Sequence, residues 1–118
     1  MSDEFELMRR LDVQLSHVWM VRTFLKHSDE AEEDEELALV HRRLYDFALA
    51  LGGHLKNDDA AGYIRQATKK WRRLREANEL FLEIQPEISN HTNFKMAATS
   101  LNLAVTEIGR LLGKIENE

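Results

Sequence analysis

The five histidines are the residues of this sequence best suited to proton transfer or metal binding. Di-iron helical proteins place a glutamate three residues before a ligating histidine, and no histidine here has a carboxylate at that position. No two histidines are four residues apart either. We therefore predict no metal site and no cofactor, with a site assembled across helices as the alternative. His17 and His41 are the two histidines that we expect to be partly buried.

Other catalytic motifs are missing as well. The sequence has no cysteine, which excludes disulfides, cysteine-bound zinc, iron–sulfur clusters and thiol catalysis. It contains no glycine-rich phosphate loop and no Gly-x-Ser-x-Gly motif. We expect a non-enzymatic protein, and the alternative is an enzyme whose site forms between helices or subunits.

Three polar residues form a candidate polar core or pocket: Arg22, His41 and Asn78. Arg22 and Asn78 fall among the apolar positions of their predicted helices, where a buried polar group must be hydrogen-bonded. We expect Arg22 to extend to solvent or to pair with a carboxylate such as Asp46 or Glu107. We expect Asn78 to fix the register of neighbouring helices. The alternative is that these residues line a small-ligand or metal site between the helices.

A basic segment around Trp71 is a further candidate site. Trp71 points to the core on a helical wheel, whereas Arg65, Lys69 and Arg72 point the opposite way. An inward aromatic ring cannot stack on a base, and the formal net charge of -5 also argues against a nucleic-acid partner. Nucleic-acid binding through this face of the third helix therefore stays an alternative. The candidate basic patch consists of Arg65, Lys69, Arg72 and Arg73.

Four stretches with apolar residues at helix spacing must position these candidates. They cover residues 3–27, 32–51, 58–84 and a last stretch that starts between 89 and 93 and ends near 115. Hydrophobic residues make up 43% of the chain, enough for a buried core. The connections are short, so consecutive helices should be antiparallel neighbours. We predict an all-α fold, an antiparallel up-and-down four-helix bundle that forms a single domain over residues 1–118.

The predicted helix ends depend on a few residues. Ser28 and Asp29 offer a break and a cap before the second helix. Gly52 and Gly53 predict a left-handed stop at its end. Pro86 is predicted to end the third helix, because a proline ring cannot continue the hydrogen-bond ladder.

The first and fourth helices have more apolar surface than a lone bundle needs to bury. Gly109 and Gly113, placed inside the fourth helix, each cost about 1 kcal/mol relative to alanine. With Ala98 and Asn102 they form a small-residue edge that would let another helix approach. We predict a homodimer built on these two helices, and the alternative is a single bundle with tilted helices. The candidate dimer interface consists of Val13, His17, Met20, Phe24, Met96, Leu103, Gly109 and Gly113.

The predicted function is that of a self-associating protein-interaction module, with another protein as a further partner. No run approaches the ~20 apolar residues of a membrane span, so we expect no membrane association. The chain starts with acidic residues that no apolar stretch follows, which predicts no signal peptide. By elimination we expect a cytoplasmic protein.

Overall fold

Helices account for nearly all of the computed structural model, which describes residues 3–115. The all-α prediction is confirmed, since no strand occurs within these residues. None of their helices is long and apolar enough to cross a membrane. Residues 1, 2 and 116–118, which the predicted domain includes, lie outside the described part. The helices are α1 (Asp3–Lys26), α2 (Asp29–Glu33), α3 (Glu35–Lys56), α4 (Ala60–Ile88) and α5 (Thr92–Leu111).

The four long helices share one hydrophobic core. α3 packs along α4 and α1 along α5, while α1 also contacts α3 and α4 also contacts α5. Each long helix contributes a side chain with no exposed surface, namely Val18, Leu44, Phe81 and Leu101. The stripe predicted for the second helix is buried throughout, so the helix spacing of its apolar residues identified the correct face. That stripe consists of Leu37, Val40, Leu44, Phe47 and Leu51.

The predicted second helix is in fact two helices separated by Asp34. The Ser28 side chain accepts a hydrogen bond from the Ala31 backbone N–H at 3.2 Å and begins α2. The Asp34 carboxylate accepts from the Leu37 N–H at 2.9 Å and begins α3. Each cap satisfies a donor that a helix N-terminus leaves free. Asp34 itself is extended, with φ -117° and ψ 117°, so the helix cannot run through it.

The predictions that Gly52 and Gly53 end one helix and that Pro86 ends another were wrong. α3 runs through the glycines to Lys56, and the chain turns at Asp58, whose φ is +52°. Aspartate tolerates this left-handed conformation better than most residues. α4 continues past Pro86 to Ile88, whose side chain packs against the core. Pro86 removes one backbone hydrogen bond and its ring crowds the carbonyl four residues earlier. The helix still continues to Ile88, whose contact with the core favours that conformation.

The turn between α3 and α4 is fixed by a histidine and two aspartates. Asp58 supplies the turn, and Asp59 caps α4 by accepting from the Gly62 N–H at 3.0 Å. The other carboxylate oxygen of Asp59 lies 2.9 Å from Nδ1 of His54. This pair holds the last turn of α3 against the first turn of α4. The reversal therefore comes after His54 and not at the glycines.

Gly113 lies beyond α5 and not inside it, which corrects its predicted position. Its φ is +73°, and its N–H donates to the Arg110 carbonyl at 3.1 Å. The Lys114 N–H donates to the Gly109 carbonyl at 2.8 Å. These two bonds form a Schellman motif, which requires a left-handed residue at the position that Gly113 occupies. Gly113 therefore ends the helix.

Candidate functional site

Four of the residues predicted for a dimer interface are strongly exposed aliphatic side chains on the α1 and α5 pair. Val13, Met20, Met96 and Leu103 have between 60 and 66% of their surface exposed. We call this set the α1–α5 face. Phe24 is half-buried and meets the Phe94 ring edge-on, with 4.9 Å between the ring centroids. An aliphatic surface on two packed helices is therefore available to a partner.

The glycine predicted to receive a second helix is occupied within the chain. Gly109 is buried, and a Cβ atom there would lie 2.6 Å from two atoms of the Trp71 ring and 2.6 Å from Cδ1 of Ile115. Asn102, from the same predicted small-residue edge, accepts a hydrogen bond from Asn78 at 3.0 Å. The close approach that these small residues allow is thus made by α4. Gly109 and Gly113 do not belong to the α1–α5 face.

Arg22 is buried by aromatic rings, with 7% of its surface exposed. Its guanidinium carbon lies 4.0 Å from the centroid of the Trp19 ring and 5.4 Å from that of Tyr45. Both distances allow cation–π attraction. Nη2 donates to the Thr23 hydroxyl at 3.1 Å, whereas Nε is buried and has no hydrogen-bond partner in the described chain. Within residues 3–115, Arg22 does not pair with a carboxylate as expected, and Glu107 pairs with Arg110.

His41 lies on α3 and is influenced by the charge of Arg22 on α1. Its imidazole is half-buried, and its buried Nε2 has no hydrogen-bond partner among residues 3–115. Burial lowers the pKa of His41 below its ordinary value, and the positive charges of Arg22, Lys26 and Arg42 lower it further. His17, the other histidine predicted to be partly buried, is exposed. The charge of Arg22 therefore acts on His41 across α1 and α3.

Asn78 has its partner on a different pair of helices. With 5% of its surface exposed, it donates from Nδ2 to Asn102 on α5. Its Oδ1 is buried without a partner in the part of the chain that the structure describes. This bond joins α4 to α5, and the role of Asn78 in helix register stays a prediction. The three polar candidates thus do not share one site: Arg22 and His41 lie on α1 and α3, whereas Asn78 makes a contact between α4 and α5.

An apolar groove between α1 and α3 was not predicted. Its volume is about 570 Å³. The rings of Trp19 and Tyr45, with centroids 6.3 Å apart, belong to its lining. Its one carboxylate, Asp12, accepts a hydrogen bond from the Tyr63 hydroxyl at 3.1 Å. We call this cavity the α1–α3 groove; it is lined by Asp12, Leu15, Ser16, Trp19, Met20, Tyr45, Ala48, Leu49, Gly52 and Gly53.

Tyr63 anchors that carboxylate from the core. Its side chain is fully buried. Burial and the nearby charge of Asp12 raise the pKa of the Tyr63 hydroxyl well above its ordinary value. The hydroxyl therefore stays protonated and donates to Asp12 throughout the physiological range.

The predicted basic patch is exposed, and Trp71 is buried beside it as expected. Arg65, Lys69, Arg72 and Arg73 all face solvent. A groove of about 300 Å³ lies between α3 and α4 and includes Arg73 of this patch. Arg43 and Lys70 also line it, together with the carboxylate of Asp46. Sequence reasoning missed Arg43 because it lies on another helix.

Comparisons with known proteins add no assignment. No family model matches this sequence, and no curated protein or solved structure is significantly similar to it. Within residues 3–115, no group of three or more histidine, cysteine, aspartate or glutamate side chains is placed to hold a metal ion. The candidate sites are therefore judged by their geometry alone.

Proposed function

We propose that this protein is a non-enzymatic interaction module that forms a homodimer through the α1–α5 face. The observation that carries the proposal is the exposure of 60 to 66% at four aliphatic side chains on two packed helices. Contiguous apolar patches on soluble proteins commonly mark interaction sites. In a two-fold dimer the same patch serves both copies, so the face need only be complementary to itself.

We also infer that the long helices form the antiparallel up-and-down four-helix bundle expected from the sequence. Three facts support it: the connections are short, each long helix packs on its neighbours in the chain, and α1 closes the arrangement by packing along α5. The cytoplasmic location stays a prediction.

Leu103→Asp tests the dimer. Leu103 is 66% exposed, so an aspartate fits there in the monomer, whereas a dimer would have to desolvate its charge. A two-fold interface contains the substitution twice, and we expect the dissociation constant to rise at least about a hundredfold. Leu82→Asp is the matched control, because Leu82 is 42% exposed on α4, outside the face.

Size-exclusion chromatography with light scattering measures the result. At protein concentrations of tens of micromolar, we expect a dimer for the wild type and for Leu82→Asp and a monomer for Leu103→Asp. A monomeric wild type would end the proposal. A Leu103→Asp variant that stays dimeric would show that the interface lies elsewhere, and dissociation of Leu82→Asp as well would show that the effect is not specific to the α1–α5 face.

A further inference from the structure

Arg22 lies against two aromatic rings that line the α1–α3 groove, and it belongs to a cluster of basic side chains. Arg22 and Lys26 on α1 and Arg42 on α3 are the positive charges that act on His41. No ion pair formed within residues 3–115 includes any of these four side chains. Carboxylates pair with arginines elsewhere on the surface, for example Glu107 with Arg110. An external anion would therefore meet uncompensated positive charge here.

Two buried nitrogens in this cluster lack hydrogen-bond partners. Nε of Arg22 and Nε2 of His41 are covered from solvent and have no partner in the described residues. Arg22 is more than nine-tenths buried, since 7% of it is exposed. Arginine Nε always carries a proton, and a buried donor without an acceptor costs about 1–3 kcal/mol. A ligand that supplies an acceptor would recover that free energy.

The aromatic pair connects this cluster to the groove. Trp19 and Tyr45 line the groove, and their rings also lie over the Arg22 guanidinium at 4.0 and 5.4 Å. The groove volume of about 570 Å³ falls in the range of small-molecule sites, which runs from about 300 to 1,000 Å³. Its lining is mostly aliphatic and aromatic. Such a groove suits an apolar chain or ring.

We propose that the α1–α3 seam binds a small organic anion with an apolar tail, whose acid group pairs with Arg22 and His41 while the tail lies in the groove. Asp12 fixes the direction, because its carboxylate borders the part of the groove that lies away from Arg22 and repels an acid group there. The acid group reaches the guanidinium by displacing the Trp19 ring, which is 42% exposed. This site does not require self-association.

Three probes with the same tail and different head groups test the charge of the ligand: decanoate, decanol and decylammonium. We expect titration calorimetry to show decanoate binding on the order of tenfold or more tighter than decanol, with decylammonium weakest. Decylammonium binding most tightly would overturn the proposal, because Asp12 would then be the anchor. Equal binding of all three would show a merely apolar groove, and no binding would show that the groove is not a site.

Arg22→Met tests the anchor, since methionine keeps the apolar stem and removes the charge. We expect it to weaken decanoate binding roughly ten- to a hundredfold and to leave decanol binding unchanged. Arg65→Met, the same substitution at an exposed position on α4, should change neither. Unchanged decanoate binding to a folded Arg22→Met chain would contradict the proposal. If that variant does not fold, the comparison of head groups on the wild type still decides.

Tryptophan emission gives a second readout. Trp19 lies at the proposed site, whereas Trp71 is buried against Gly109. Decanoate should change the emission of the wild type, and Trp19→Phe should remove that change while calorimetry still detects binding. Because Met20 borders both the groove and the α1–α5 face, the titrations are repeated on Leu103→Asp. Binding that persists there separates this site from the dimer.

Discussion

Replacing Asn102 by alanine should destabilise the protein by leaving the Asn78 amide without a partner. Within residues 3–115, Nδ2 of Asn78 donates to Oδ1 of Asn102 at 3.0 Å, and Oδ1 of Asn78 already lacks a donor. Asn78 is 5% exposed, so water cannot replace the lost partner without a rearrangement. A buried polar group left unsatisfied costs about 1–3 kcal/mol. Alanine recovers about 0.5 kcal/mol through its higher helix propensity.

The net loss for Asn102→Ala is therefore about 0.5–2.5 kcal/mol, which corresponds to a fall of roughly 2–10 °C in Tm. The measurement is urea unfolding at one fixed protein concentration, because dimerisation would add to the apparent stability. Asn93→Ala is the matched control: Asn93 is exposed on the same helix, and we expect a change within about 0.5 kcal/mol. Replacing both Asn78 and Asn102 by leucine should leave stability equal to the wild type or higher, since no polar group is then stranded.

An Asn102→Ala variant as stable as Asn93→Ala would show that the unpaired Asn78 amide costs no stability. A double leucine variant as unstable as Asn102→Ala would show that the lost stability comes from packing and not from an unsatisfied amide.

Two further predictions concern the contact of α4 with α5 and the first turn of α4. Gly109→Ala should destabilise the fold by about 1–2 kcal/mol, because the new Cβ atom would lie 2.6 Å from the Trp71 ring and must push the ring aside. Gly53→Ala should instead stabilise the fold by up to about 1 kcal/mol, since no atom lies within 4 Å of a Cβ atom there. Thermal unfolding of both variants measures the difference. The hydrogen bond from the Gly62 N–H is the main reason that the pKa of Asp59 is lowered. The charged carboxylate therefore stabilises the folded state. This stabilisation is complete above the ordinary aspartate pKa of about 4 and is lost as the pH falls through the lowered pKa. Asp59→Asn keeps a capping side chain that does not titrate. In denaturant unfolding at a series of acidic pH values, its free energy of unfolding should therefore fall less steeply with decreasing pH than that of the wild type. Equal slopes for the variant and the wild type would contradict the role assigned to the Asp59 carboxylate.

The apolar stripes were predictable from the sequence because helix periodicity is a local property. Leu44 and Leu101 are buried where the spacing places them, and Trp71 faces the core in spite of its basic neighbours. The exposed residues Met20 and Met96 were predictable for the same reason, since they lie off the main stripe of their helices.

The helix ends were less predictable because competing signals lie close together. Gly52 is a strong stop signal by itself, but Asp58 can adopt the left-handed conformation, and the contact between His54 and Asp59 favours the later turn. A single sequence does not rank such signals, since the difference depends on contacts with the next helix.

The α1–α3 groove was not predictable because it requires the pairing of two helices. Nothing in the sequence places Tyr45 on α3 opposite Trp19 on α1. The burial of Arg22 by these two rings depends on the same pairing. Sequence reasoning therefore found the unusual residues and assigned Arg22 the wrong kind of partner.

The glycine pair inside α3 gives that helix two parts of unequal rigidity. Gly52 and Gly53 are exposed and would have open space around a side chain, so little besides backbone hydrogen bonds holds the chain helical there. Local opening of the last turns of α3 is then less costly than opening of the turns that carry Leu44 and Phe47. Amide protons after the glycines should exchange with solvent by this partial route, without unfolding of the whole domain. One wall of the cavity beside α1 can thus loosen and re-form while the centre of the protein stays intact.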